Sequence, residues 1–199
     1  HHNRLGGFAL ALFLAIGVVL SGAQTLWAAP GDLDPTFGGS GIVQPGIGGT
    51  DYSNATAIQP DGKIVVAGTA VMPGTSEDFA VTRYNVDGSL DTTFDGDGIV
   101  TTPVGPGSTT DYAYAVAIQP NDGKIVVAGQ TGINGTDFAL VRYNTDGSLY
   151  TTFDGDGIVT TNLGPGSTTD YVYAMAIQPS DGKIVLAGLT SSPAPSTCR

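Results

Sequence analysis

The sequence predicts an all-β fold made of four-stranded antiparallel sheets that repeat along the chain. Three observations support this prediction: a composition rich in residues that are unfavourable in helices, a repeat of about 59 residues, and short apolar runs bounded by turn residues. Seventeen of the 18 acidic residues are Asp, and the chain has 30 Gly and 12 Pro. These three residue types favour turns and are unfavourable in helix interiors. The chain is nevertheless 41% hydrophobic, which is enough for a packed core.

Residues 1–29 have the features of a secretory signal peptide. Arg4 precedes an apolar run of 13 residues, and small residues follow that run. The run is shorter than the ~20 residues that a membrane-spanning helix needs, although an uncleaved anchor is the alternative. We expect cleavage after Ala23 or Ala28. The mature chain is therefore predicted to be secreted or held at the cell surface, without a membrane span.

Three sequence phrases recur in the same order after the leader. The phrase GSLDTTFDGDGIV starts at Gly88, and close variants of it start at Gly31 and Gly147. The phrase AIQPDGKIVVAG occurs in three versions and the phrase DFAVTRYN in two. A fixed period of this kind indicates an array of equivalent structural units. The repeat region spans residues 30–190, with units at about 31–87, 88–146 and 147–190, and an irregular tail follows at 191–199.

Each unit has the pattern of four short strands. In the second unit we expect strands at about 99–102, 112–119, 124–130 and 137–144. All four are rich in β-branched and aromatic residues and are bounded by turn residues. Apolar residues follow one another without alternation, as in Ile125–Ala128, which predicts sheets that are covered on both faces. Repeated four-stranded sheets that pack face to face are the blades of a β-propeller.

The three phrases resemble the bacterial delta-60 repeat, a β-propeller-type repeat of large secreted and surface proteins. The resemblance covers nearly all of residues 31–190. It implies a propeller-like array and an address outside the cytoplasm, and it implies no activity or catalytic residue. The chain holds about two and three-quarter units, whereas a closed propeller needs at least ~4 blades. We therefore expect an incomplete propeller, either a fragment of a longer protein or a wedge that pairs with other copies.

Few side chains qualify as catalytic or metal-binding. His1 and His2 are the only histidines, so the region after the leader lacks the usual general base and His-based zinc ligands. Two Asp-Gly-Asp-Gly turns offer carboxylates beside flexible glycines, as calcium loops do. The weak calcium candidates are Asp95, Asp97, Asp154 and Asp156. The first unit has Gly38–Gly41 at this place, which indicates that the turn needs its glycine geometry more than its charge.

Tyrosines form pairs two residues apart, namely Tyr112 with Tyr114 and Tyr171 with Tyr173, so each pair is expected on one strand face. They are suited to a carbohydrate platform or to packing between blades.

The net charge of −11 argues against nucleic acid as a partner, because phosphate binding needs clustered Lys and Arg. We predict an exported, non-catalytic repeat scaffold or binding module without a cofactor, calcium being the one candidate. Its partner is an unknown extracellular ligand or further repeats of the same protein. One alternative is part of a propeller enzyme whose catalytic residues lie in other blades. The other is a calcium-stabilised surface adhesin.

Overall fold

The computed structural model describes residues 30–72, 76–105, 109–132, 136–164 and 169–191. The strands are β1 (Asp51–Ile58), β2 (Ile64–Val71), β3 (Glu77–Tyr84), β4 (Ile99–Thr102), β5 (Thr110–Ile118), β6 (Ile125–Gly132), β7 (Asp137–Tyr143), β8 (Ile158–Thr161), β9 (Thr169–Ile177) and β10 (Ile184–Ser191). None of these described segments contains a helix able to cross a membrane. The predicted leader and most of the predicted tail lie outside the described residues.

The strands form three antiparallel sheets. Sheet 1 has the order β1-β2-β3-β4, sheet 2 has the order β5-β6-β7-β8, and sheet 3 consists of β9 and β10. Neighbouring strands within each sheet are consecutive in sequence, so every sheet is a simple meander. The prediction of an all-β, propeller-like array of four-stranded blades is confirmed, and among the described residues the array is incomplete, with two four-stranded sheets and one two-stranded sheet.

The sheets are shifted relative to the sequence units. We predict Ile99–Thr102 as the first strand of the second unit, yet β4 closes sheet 1 by pairing with β3, for example through Val81 and Val100. The loop between β3 and β4 folds back on β3. The Arg83 amide donates to the Gly98 carbonyl at 2.9 Å, which extends the β3–β4 ladder into this loop. β8 closes sheet 2 in the same way. Each four-stranded sheet therefore takes three strands from one unit and its last strand from the next.

The sheets pack face to face around two groups of buried side chains. The larger core lies between sheets 1 and 2, and the smaller core joins sheets 2 and 3. Sheet 2 is thus covered on both sides, and all four residues of Ile125–Ala128 have 0% exposure. The unbroken apolar run in β6 is explained by this double coverage.

A phenylalanine of one sheet lies on a glycine of the next. A β-carbon at Gly129 would come within 2.8 Å of Cζ of Phe79, and one at Gly188 within 2.7 Å of Cζ of Phe138. Both contacts are closer than real β-carbons tolerate, so the glycines allow the sheets to approach. The same residue pair therefore fixes both interfaces between sheets.

Candidate functional site

The first strand of each sheet contains a β-bulge at the same repeat position. The pairing register shifts at Asn54 in β1, at Tyr114 in β5 and at Tyr173 in β9. A bulge residue has no direct partner across the ladder, and its side chain is turned out of the regular alternation. The three bulges therefore present one equivalent side chain from each sheet.

A glycine on the second strand makes each bulge possible. β-carbons at Gly68, Gly129 and Gly188 would overlap the carbonyl oxygens of the tyrosines at the start of the first strands. These tyrosines are Tyr52, Tyr112 and Tyr171. Because glycine has no side chain, the two backbones can approach closely at this point.

The bulged strands carry five tyrosines, which we call the tyrosine belt: Tyr52, Tyr112, Tyr114, Tyr171 and Tyr173. β5 packs against both β1 and β9, which places the three first strands side by side. The rings of Tyr112 and Tyr114 are stacked, with centroids 6.1 Å apart and planes inclined by only 19°. Tyr52 is 56% exposed and Tyr173 is 67% exposed, so both ends of the belt are open to solvent.

A concave site of about 370 Å³ lies along the belt between sheets 1, 2 and 3. Its described lining consists of Asn54, Tyr114, Tyr171, Val172 and Tyr173. The Asn54 side chain joins two sheets, because its amide nitrogen donates to the Ala113 carbonyl at 2.9 Å. Phenol rings and an amide thus surround a site whose described lining carries no charge. Such a lining suits a ligand with both apolar and hydroxyl surfaces.

The phenols of Tyr112 and Tyr114 have raised pKa values. Burial raises the pKa of Tyr114, and the neighbouring Tyr112 and Tyr171 raise it further. Burial also raises the pKa of Tyr112, with added contributions from Glu77 and Tyr52. The pKa of both groups therefore lies above the ordinary value near 10, and neither phenol ionises at neutral pH.

An aspartate at the start of each first strand holds the preceding loop. Carboxylate Oδ2 of Asp51 accepts from the Ile47 amide at 2.8 Å, and Oδ2 of Asp111 accepts from the Val104 amide at 2.8 Å. Asp170 accepts from the Leu163 amide at 3.0 Å in the same manner. Sequence reasoning missed this role, although an Asp-Tyr pair begins the first strand of all three sheets.

The Asp-Gly-Asp-Gly turns are shaped by their backbone. Asp95 and Asp154 have φ angles of 51° and 56°, and Gly38 has 59° at the same place in the first unit. The left-handed conformation therefore recurs whether the residue is charged or not, and glycine adopts it without strain. Asp is among the few other residues that tolerate it.

The second aspartate of each turn is bound to backbone. Oδ1 of Asp97 accepts from the Ile99 amide at 2.8 Å, and Oδ1 of Asp156 accepts from the Ile158 amide at 2.8 Å. Burial and the nearby negative charge of Asp97 raise the pKa of Asp95. Within the described ranges, no three His, Cys, Asp or Glu side chains are grouped closely enough to hold a metal ion. The structure thus places the four calcium candidates in two separate turns.

Two segments of the chain match a family model, described as a domain of unknown function (DUF5122) beta-propeller. The matches cover residues 59–94 and 121–153, about a third of the chain. No curated protein matches the chain. The two matched segments are repeat-equivalent, and they contain β2 with β3 and β6 with β7. Together with the sheet architecture, these matches identify the chain's repeats as β-propeller-type repeats.

Proposed function

We propose that this chain is an exported, non-catalytic scaffold that binds further repeats of its own kind at the free face of sheet 1. A groove of about 570 Å³ lies on this face. Tyr52 of β1 belongs to its lining, and the lining residues from β2 and β3 are Ile64, Val66, Gly68, Ala80, Thr82 and Tyr84. The repeat-equivalent positions in sheet 2 form the face that sheet 1 covers. The observation that carries the proposal is that the uncovered face of sheet 1 is equivalent to the face of sheet 2 that sheet 1 covers.

The segment before β1 supports the same proposal. The Gly38 amide donates to the Asp87 carbonyl at 2.8 Å, and the Asp95 amide donates to the Asp146 carbonyl at 2.8 Å. Residues 31–43 therefore contact sheet 1 as the loop before β4 contacts sheet 2. The loop before β4 belongs to sheet 1, which has all four strands. The groove is the space that the other strands of an equivalent sheet would fill beside residues 31–43.

The non-catalytic part of the proposal rests on how the buried carboxylates are used. Asp111 is fully buried and holds the loop before β5, where it accepts hydrogen bonds from backbone and from Thr131. Asp91 forms ion pairs with two basic side chains, because Nζ of Lys63 lies 2.9 Å and Nε of Arg83 lies 2.7 Å from its Oδ2. A general acid or base must be able to exchange a proton with a substrate. These carboxylates instead stabilise loops. Export follows from the predicted leader at residues 1–29.

Sedimentation velocity of the mature chain tests the scaffold proposal. We expect association that increases with protein concentration, because the groove leaves apolar surface uncovered. Val66→Arg places a charge in the groove and should weaken association roughly tenfold or more. The matched control is Val86→Arg, at a turn position that is 67% exposed and lies outside the groove. A wild-type chain that stays monomeric at high concentration would contradict the proposal, as would a folded Val66→Arg variant that associates like wild type.

A further inference from the structure

The tyrosine belt lies outside the segments that match the family model. Two of its members are more than half exposed, although tyrosine is a large amphipathic side chain. The bulges at Asn54, Tyr114 and Tyr173 also turn equivalent positions toward one concave site. Tyr52 lines the groove on sheet 1 instead, so Tyr173 is the most open tyrosine of this concave site.

We propose that the belt binds an uncharged carbohydrate chain. A sugar ring has an apolar face of C–H groups and a rim of hydroxyls. The tyrosine rings offer apolar faces to the C–H groups of the sugar. The phenol hydroxyls and the Asn54 amide offer hydrogen-bonding groups to its hydroxyls. This inference goes beyond the scaffold function and does not depend on it.

Anionic ligands fit the belt poorly because the cations lie elsewhere and are occupied. All Lys and Arg side chains of the described residues pair with Asp: Lys63 and Arg83 with Asp91, Lys124 and Arg142 with Asp122, and Lys183 with Asp181. The whole chain carries a net charge of −11, which repels a polyanion at long range. An uncharged chain avoids this repulsion.

Cationic ligands lack a counter-charge in the concave site, because its described lining contains no carboxylate. Glu77 affects the pKa of Tyr112, which is not among the residues that line the concave site. An aromatic site can attract a cation without a carboxylate. The amide and hydroxyl groups of the lining favour a ligand that can return several hydrogen bonds, which a quaternary ammonium group cannot do.

The tyrosines of the belt lie on three sheets rather than one. The belt runs from Tyr52 on β1 through Tyr112 and Tyr114 on β5 to Tyr171 and Tyr173 on β9. Successive rings of one chain would therefore contact successive sheets. Linked contacts of this kind raise the overall affinity without any single strong contact.

Isothermal titration calorimetry of the mature chain with linear hexasaccharides of glucose, xylose, mannose and N-acetylglucosamine tests the proposal. We expect saturable binding of at least one of these probes. Tyr173→Ala should raise Kd roughly tenfold, since it removes one aromatic contact. Tyr173→Phe keeps the ring and should stay within about threefold of wild type, since only one hydroxyl is lost. Tyr173 is 67% exposed, so neither change should affect folding.

The control is Ile58→Ala, at a position that is 71% exposed and outside the belt, and its Kd should equal that of wild type. Three results would overturn the proposal. The first is no saturable binding of any hexasaccharide by a folded protein. The second is binding that Tyr173→Ala leaves unchanged. The third is selective, Tyr173-dependent binding of tetramethylammonium or of a proline-rich peptide with no binding of sugars.

Discussion

β6 and β10 have nearly the same sequence and different surroundings. Their sequences are IVVAGQTG and IVLAGLTS. Val126 in β6 is fully buried, whereas its counterpart Val185 in β10 is 47% exposed. Sheet 2 lies between two other sheets, while the described residues cover β10 from one side at most. The burial of a strand in this chain is therefore decided by the neighbouring sheets rather than by its own residues.

The comparison locates the source of stability. A fully buried Val contributes about 1.5–3 kcal/mol relative to an exposed one. Val185 in β10 contributes less than this because it is 47% exposed. Stability in a repeat array is accordingly a sum of single-repeat terms and nearest-neighbour interface terms. Three predictions follow the difference between covered and uncovered positions.

The largest effect is expected from a charge at the two equivalent valines. Val126→Asp buries a carboxylate without a partner and should cost more than about 4 kcal/mol, which is enough to unfold sheet 2. Val185→Asp leaves the carboxylate in contact with water and should cost less than about 1 kcal/mol. Urea unfolding followed by circular dichroism measures both. Equal losses for the two variants would refute the comparison.

Sheets 1 and 2 also differ in how they hold their basic side chains. In sheet 1, Lys63 and Arg83 pair with the buried Asp91. In sheet 2 the repeat-equivalent residue is Tyr150, and Lys124 and Arg142 lie over its ring at 4.5 and 4.7 Å. Only the first arrangement contains a buried acid that can be protonated.

We expect Asp91→Asn to destabilise the protein by about 1.5–3 kcal/mol at pH 7, the range for a hydrogen bond to a charged group. Burial opposes the charged form, but hydrogen bonds from Lys63 and Thr93 and the charge of Arg83 outweigh it and hold the pKa of Asp91 well below its usual range. A lowered pKa stabilises the fold above the unfolded value near 4, and this stabilisation is lost as pH falls through the folded value. The difference between variant and wild type should therefore shrink below about pH 4.

Urea unfolding at pH 7, 4 and 2.5 checks this expectation. Asp61→Asn is the matched control, because the Asp61 side chain is 57% exposed and 3.9 Å from Nζ of Lys63. An exposed pair of this kind contributes little, so the control should lose less than about 1 kcal/mol at every pH. A gap between Asp91→Asn and wild type that stays constant down to pH 2.5 would show that the charge of Asp91 is not the cause.

The smallest effect is expected from a buried hydroxyl between sheets. The Tyr143 hydroxyl in sheet 2 lies 2.7 Å from Oγ1 of Thr102 in sheet 1. Tyr143→Phe leaves the Thr102 hydroxyl without this partner and should cost about 1–2 kcal/mol. At the free face, Tyr84 occupies the equivalent position, and Pro45 replaces Thr102. Tyr84→Phe should therefore be close to neutral, and thermal unfolding of both variants separates the two cases.

The strands themselves could be predicted, but their partners could not. The expected strand at 124–130 corresponds to β6, and the one at 137–144 corresponds to β7, with ends that agree within two residues. β4 has the right bounds and the unexpected neighbour β3. Strand propensity and turn residues are local properties, whereas pairing depends on how the loop before β4 folds back.

The candidate site was only partly visible in the sequence. The two-residue spacing of Tyr112 and Tyr114 predicts a shared strand face, and the bulge at Tyr114 alters this alternation while keeping the rings together. One signal was available, since the glycine of an Ala-Gly pair on the second strand stands beside the bulge in every sheet. Asn54 stands at the repeat position of Tyr114 and Tyr173, but its contact with the Ala113 carbonyl of another sheet is not visible in the sequence.

The shift between sequence units and sheets has a consequence for how such a gene changes in length. Because every complete sheet ends with a strand from the following unit, deleting or duplicating one full period joins a three-strand portion to an equivalent closing strand. The new junction reproduces the old pairing wherever the crossover occurs within the period. Recombination between equivalent positions of two repeats can therefore lengthen or shorten the array in whole blades.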